Sequence, residues 1–204
     1  MTSSRRLAQR ATIRDPCRWR ALALATFFIS SATFAAPKPE TIATCETCHG
    51  KGGNSQIALT PSIAGQPETF LTNQLIIFRE GLRASPVMQS IAKGMKDKDA
   101  IELAKHFGAS PVRIVSTGAA DPKLDARGRQ LADAMHCGQC HLLNFAGRAQ
   151  MPRIAGQRED YLVSTMVAYR DGKRTGADTT MTEVLYGVSD ADIKALGHFL
   201  ARRK

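Results

Sequence analysis

Apolar residues fall at helical spacing along most of the chain, and strand-like alternation is scarce. Between Pro67 and Phe78 they stand at Phe70, Leu71, Leu75, Ile77 and Phe78, with Gly81 placed to stop the helix. Between Glu159 and Tyr169 the pattern returns at Tyr161, Leu162, Met166 and Tyr169. Ser189-Asp190-Ala191-Asp192 supplies an N-cap and an acidic first turn for a last helix. Its apolar positions Ile193, Leu196 and Leu200 match Ala100, Leu103 and Phe107 upstream. Leu124 to Met135 predicts one further helix, and the whole pattern predicts an all-α chain.

These elements come in two sets because the sequence repeats itself. Pro61-Ser62-Ile63-Ala64-Gly65-Gln66 returns as Pro152-Arg153-Ile154-Ala155-Gly156-Gln157. Phe78-Arg79-Glu80-Gly81-Leu82-Arg83 returns as Tyr169-Arg170-Asp171-Gly172-Lys173-Arg174, and Asp97-Lys98-Asp99 as Asp190-Ala191-Asp192. The offset stays between 91 and 93 residues. Periodicity breaks from Ser110-Pro111 to Asp121-Pro122. This predicts a first domain at 36–112, a linker at 113–122 and a second domain at 123–204. Halves of roughly 80 residues are small for an unaided hydrophobic core.

The formal net charge of +10 suggests a nucleic-acid partner until the charge is located. Six arginines (Arg5, Arg6, Arg10, Arg14, Arg18, Arg20) and one acid, Asp15, lie in the first 20 residues. Without them 22 basic residues face 17 acidic ones, +5, and no block of five like charges remains. Nucleic acid is therefore not an expected partner. An apolar run, Ala21 to Ile29, follows, and then the small residues Ser30 to Ala36. This is the layout of a signal peptide over 1–35, cut after Ala35. The apolar run is shorter than the roughly 20 residues of a spanning helix, and no later segment is long enough. The mature chain is expected in the periplasm, without a transmembrane span.

Five cysteines are present, and Cys17 falls in the leader. The other four read Cys45-Glu46-Thr47-Cys48-His49 and Cys137-Gly138-Gln139-Cys140-His141. Two thiols at i and i+3 share one helix face and reach the two vinyl groups of one haem, while the adjacent His meets its iron. A structural zinc site wants its His set apart from the Cys pair. A thioredoxin-type motif needs a βαβ setting. Plain disulfides leave both histidines unexplained. The chain is thus expected to attach two covalent haem c groups at Cys45 and Cys48 and at Cys137 and Cys140, with His49 and His141 as axial ligands. Little chain precedes the first motif, so its leading helix must be much shorter than that of the second.

A filled sixth position leaves electron transfer as the iron's work, and an open one allows catalysis. Met88 and Met181 lie 93 residues apart, 39 and 40 residues after their histidines. They are the expected second ligands, each on an irregular stretch between two helices. The unmatched Met95, Met135, Met151 and Met166 read as core filler. His106 and His198 align only with a gap inside a helix and read as partly exposed helix residues; His136 reads as structural. Pro61 and Pro152 lie 12 and 11 residues after the histidines, placed to accept the imidazole's second N–H. Arg79, Arg83, Arg170 and Arg174 meet either haem propionates or solvent.

Tandem Cys-x-x-Cys-His units, each followed by Pro-x-x-Ala-Gly-Gln, Phe/Tyr-Arg-x-Gly-x-Arg, a Met and an Asp-x-Asp helix start, resemble the dihaem cytochrome c4 family over residues 41–204. The resemblance implies two class I cytochrome c-like domains with haem edges facing each other, and a periplasmic, respiratory electron carrier with no chemistry of its own. Its implied partners are redox proteins, a membrane-bound terminal oxidase or a quinol-oxidising complex. A second reading is the electron-accepting subunit of a flavin-dependent or alcohol dehydrogenase. A third is a dihaem enzyme such as a peroxidase or thiosulfate dehydrogenase, which would need one unusual or absent sixth ligand.

Overall fold

The computed structural model describes residues 37–115, 118–174, 176 and 179–204. The leader, Cys17 and the cleavage site at Ala35 lie outside them. Among the described residues the chain is helical; the one extended pairing is an isolated bridge between Arg148 and Met151. The first half holds α1 (Pro39–His49), α2 (Glu68–Arg79), α3 (Pro86–Ala92) and α4 (Asp97–Gly108). The second holds α5 (Pro122–Ala134), α6 (Cys137–His141), α7 (Glu159–Arg170), α8 (Thr180–Leu185) and α9 (Asp190–Ala201).

Helix starts follow local chemistry. The Asp121 carboxylate accepts from the amides of Lys123 and Leu124, with Pro122 as first helical residue of α5. The Ser189 hydroxyl accepts from the Asp192 amide at 3.1 Å and opens α9. Ser85 does the same for Met88 at the start of α3.

Each half has its own core, and the two are unequal. In the second, Leu162 and Met166 of α7 and Ile193, Leu196, Phe199 and Leu200 of α9 bury together with Leu185 and Phe145. α5 crosses α9 at Gly128, where an added Cβ would lie 2.2 Å from the Ala195 carbonyl oxygen. In the first, Leu71, Leu103, Ala104 and Phe107 form the buried cluster, with Ile42 and Cys45 of the short α1 against it. Each fully buried Leu or Phe contributes about 1.5–3 kcal/mol.

The repeated Pro-x-Ile-Ala-Gly-Gln segments meet face to face. The Gln157 amide accepts from Ser62 N–H at 2.7 Å and donates to Ser62 C=O at 2.8 Å. The Gln66 amide accepts from Arg153 N–H at 3.0 Å and donates to Arg153 C=O at 2.8 Å. Ser62 and Arg153 are equivalent positions of the repeat, and so are Gln66 and Gln157. All four residues are buried. A primary amide has both donor and acceptor, so one side chain satisfies both polar groups of a buried peptide segment.

The connection between the halves is pinned near both of its ends. The Asn54 side chain donates to Pro111 C=O and accepts from Arg113 N–H. Farther on, Asp121 N–H donates to His198 Nε2 at 2.9 Å, and Arg202 donates to the carbonyls of Gly118 and Ala119. His198 is therefore 3% exposed rather than partly exposed as its helical position suggested, because the returning chain covers it.

Candidate functional site

The two Cys-x-x-Cys-His segments are helical, but they are built differently. The first is the end of the continuous α1, closed by Gly50 at φ 76°. There an added Cβ would lie 2.1 Å from the Asn54 carbonyl oxygen, which excludes any other residue. The second is the separate helix α6, set off from α5 by His136 in the left-handed region at φ 54°. In both, the first cysteine is half-buried and the second exposed, and the following histidine is buried.

His49 Nδ1 donates to the Pro61 carbonyl at 2.8 Å, and His141 Nδ1 to the Pro152 carbonyl at 2.8 Å. A carbonyl only accepts, so Nδ1 carries the proton and Nε2 keeps its lone pair for a metal. Burial holds both imidazoles below the ordinary histidine range, against the pull of the proline carbonyl. Burial also pushes the Cys45 and Cys137 thiols above the usual range, so neither is a poised thiolate. Among the described residues no three His, Cys, Asp or Glu side chains converge as a metal-binding group.

Met88 and Met181 are helical, not on irregular chain. Met88 lies in the first turn of α3, and Met181 is the second residue of α8. For α3 the cause is local: Ser85 and Pro86 are a cap and first residue, and they start a helix that the apolar pattern does not mark. Both methionines are half-buried. Met166 is core, and Met95 and Met135 pack against the two clusters.

The four repeat arginines divide two and two. Arg79 reaches the Met95 carbonyl, Asp97 and Glu80, and its equivalent Arg170 reaches the Val188 carbonyl, Asp190 and Asp171. Arg83 and Arg174 instead turn inward. Both donate to the Tyr161 hydroxyl, at 3.3 and 3.4 Å. Burial raises the Tyr161 phenol, but the two guanidiniums outweigh it and hold it at about 7. The Nε of Arg174 is buried with no partner among the described residues. A cationic group with a spare buried donor suits an anionic ligand edge, and paired thiols with a neutral imidazole suit a covalent, iron-centred one. These residues therefore fit haem c.

The sequence reading missed Tyr161, Gln66, Gln157 and Arg153 as interface residues. Arg153 stands where the first half has Ser62. Its guanidinium is buried between the halves, donates to the Ala64 carbonyl at 2.9 Å, and is drawn by burial down to about 10. The Gly-Gln repeat was the available signal, but it does not show what the glutamines face.

The cytochrome c family model matches residues 126–204. Cytochrome c4 of Pseudomonas aeruginosa is 31% identical over 169 residues, covering 78% of this chain and 83% of that protein. A thiosulfate dehydrogenase electron acceptor of Thiomonas intermedia is 31% identical over 196 residues, covering 89% of this chain and 90% of that protein. The crystal structure of reduced recombinant cytochrome c4 from Pseudomonas stutzeri superposes with a TM-score of 0.73 at 28% identity, covering 83% of this chain and 100% of that one. At this likeness over most of its length, the chain belongs to the cytochrome c4 family, electron-transfer proteins with covalently bound haem c.

Proposed function

We propose that this protein carries single electrons between partner proteins on two haem c groups, one in each half. Cys45 and Cys48 attach the first, with His49 and Met88 as axial ligands; Cys137 and Cys140 attach the second, with His141 and Met181. When bound, haem supplies a one-electron Fe(III)/Fe(II) couple, and His/Met ligation sets it at higher potential than two histidines would. The chain's own part is to fix the imidazoles and shield the site. The observation that carries this reading is the duplicated 2.8 Å bond from a buried His Nδ1 to a proline carbonyl, beside a Cys-x-x-Cys pair in each half. It orients a ligand twice in one chain.

The signal-peptide layout supports export, so the mature chain works in the periplasm and passes electrons towards a terminal oxidase. Among the described residues no helix is long and apolar enough to cross a membrane. A second reading is that the chain accepts electrons from a dehydrogenase, as the name of the Thiomonas intermedia relative says of that protein. The test is haem quantitation and spectroscopy on matured protein. Two haems per chain and two low-spin irons support the proposal, and one haem or a resting five-coordinate iron defeats it. Reduction by purified thiosulfate dehydrogenase with thiosulfate, set against oxidation by purified oxidase, separates the two partner readings.

A further inference from the structure

The two glutamine brackets and the two histidine–proline bonds share their peptide groups. His49 Nδ1 donates to the Pro61 carbonyl, and the N–H of that same peptide unit, on Ser62, donates to Gln157 Oε1 at 2.7 Å. In the other half His141 Nδ1 donates to the Pro152 carbonyl, and the N–H of that unit, on Arg153, donates to Gln66 Oε1 at 3.0 Å. Each peptide unit therefore has an axial-type imidazole on its oxygen and, on its nitrogen, a glutamine from the opposite half. Ser62, Gln66, Arg153 and Gln157 are between 2% and 5% exposed, so water does not compete for these bonds. The amides are held the right way round. Each Nε2 donates at 2.8 Å to the carbonyl of Ser62 or Arg153, which turns Oε1 towards the N–H. Gln157 Oε1 also accepts the Arg158 amide of its own half at 3.0 Å, a second bond that fixes it. Hydrogen bonds in series through one amide polarise each other. An acceptor on the N–H puts more negative charge on the carbonyl oxygen, which then pulls harder on the imidazole proton.

We infer that Gln66 and Gln157 are positioning residues for the opposite half's axial histidine, and that each lowers the reduction potential of the haem it does not belong to. Gln157 acts on His49 through the Pro61–Ser62 peptide, and Gln66 acts on His141 through the Pro152–Arg153 peptide. This rests on the dihaem reading above. A stronger acceptor at Nδ1–H gives the imidazole more anionic character and makes its Nε2 a better donor, which favours Fe(III) over Fe(II). The effect crosses the seam because the repeat places the polarising amide four residues after the peptide position it serves in the other copy: Gln66 after Ser62, Gln157 after Arg153. Weakening either bracket raises the potential on the far side of the seam.

The test is a spectroelectrochemical titration of the matured protein, with each midpoint assigned to its haem by paramagnetic NMR of the haem methyls. Gln157→Leu removes the acceptor and raises the first haem's midpoint more than the second's. Gln66→Leu raises the second haem's midpoint more than the first's. Gln157→Glu and Gln66→Glu keep an oxygen opposite the N–H and return the affected midpoint to the wild-type value or below it. A merely structural seam would shift both haems alike, or the haem of the substituted half, and glutamate would not reverse it. The idea is overturned by either of those patterns, or by leucine variants that move neither midpoint. A second measurement needs no variant. In reduced, diamagnetic wild-type protein labelled with 13C and 15N, scalar couplings across hydrogen bonds link Ser62 N to the Gln157 side-chain carbonyl carbon and His49 Nδ1 to the Pro61 carbonyl carbon. Absence of either coupling breaks the relay and overturns it for the first haem, and the Arg153–Gln66 and His141–Pro152 pairs test the second in the same way. Wild-type protein with fewer than two haems would instead defeat the dihaem reading, and this inference with it.

Discussion

The two halves share one chemical programme and differ in how they support it. Both set a buried histidine on a proline carbonyl at 2.8 Å, and both start a short helix at the methionine. Only the second half has a separate helix ahead of its Cys-x-x-Cys-His helix, α5, laid across α9 and seated by Gly128. The first half has the single α1, which ends in the motif itself, and a smaller buried cluster. The ligand-orienting geometry is therefore local and tolerant, whereas the scaffold around it can be cut back in one copy. The first half therefore has the smaller apolar core of its own.

The sharpest way to break this comparison is at the seam. Gln157→Ala leaves Ser62 N–H and C=O unpaired, and Gln66→Ala does the same to Arg153. Each orphaned buried group costs about 1–3 kcal/mol, so either variant unfolds at clearly lower denaturant. If the first half leans on the seam, both variants should release its tryptic sites before those of the second half. Equal release would remove the asymmetry.

Next in size is Gly128→Ala. Its methyl would meet the Ala195 carbonyl oxygen at 2.2 Å and force α5 off α9, at about 1–3 kcal/mol. Hydrogen exchange should rise in α5 and α9 and stay unchanged in α2 and α4. Smaller effects come from the caps. Ser189→Ala and Ser85→Ala each cost about 0.5–2 kcal/mol. Only Ser85→Ala should perturb the first methionine helix, seen as a change in the spectrum of the first haem alone.

The smallest expected effect is in acid. Burial raises the Asp160 carboxyl, but Arg158 and the amides of Leu59 and Tyr161 outweigh it and hold the carboxyl below the ordinary range. A carboxylate with a lowered folded pKa stabilises above its unfolded pKa, and that contribution fades as pH falls through the folded value. With an unfolded value near 4, the loss falls below about pH 4. Asp160→Asn should be less stable at pH 7 and flatter in that acid range, read from thermal melts across pH.

Most helix positions, the duplication and the two Cys-x-x-Cys-His motifs were legible in the sequence because they rest on spacing within a few turns. The prolines were legible for the same reason: a fixed interval from the histidine was enough. The helical state of Met88 was missed although its signal, Ser85-Pro86, was present, because short capped helices carry little apolar period. The burial of His198, the split among the four arginines and the glutamine brackets were not legible. Each depends on a polar group arriving from a segment distant in sequence, such as Asp121 for His198 or Ser62 for Gln157. Periodicity records which face of a helix is apolar, not which remote donor or acceptor will meet it.

The crossed glutamine brackets have the form of a two-fold homodimer contact contained in one polypeptide. Each copy of the motif has both the amide that reaches out and the peptide group that receives, so it is complementary to itself. A single ancestral unit with this motif could pair with its twin, and tandem fusion turns that encounter into an intramolecular one at effective concentrations on the order of millimolar. Once joined, the copies no longer need to be identical, and one is free to take Arg153 where the other keeps Ser62.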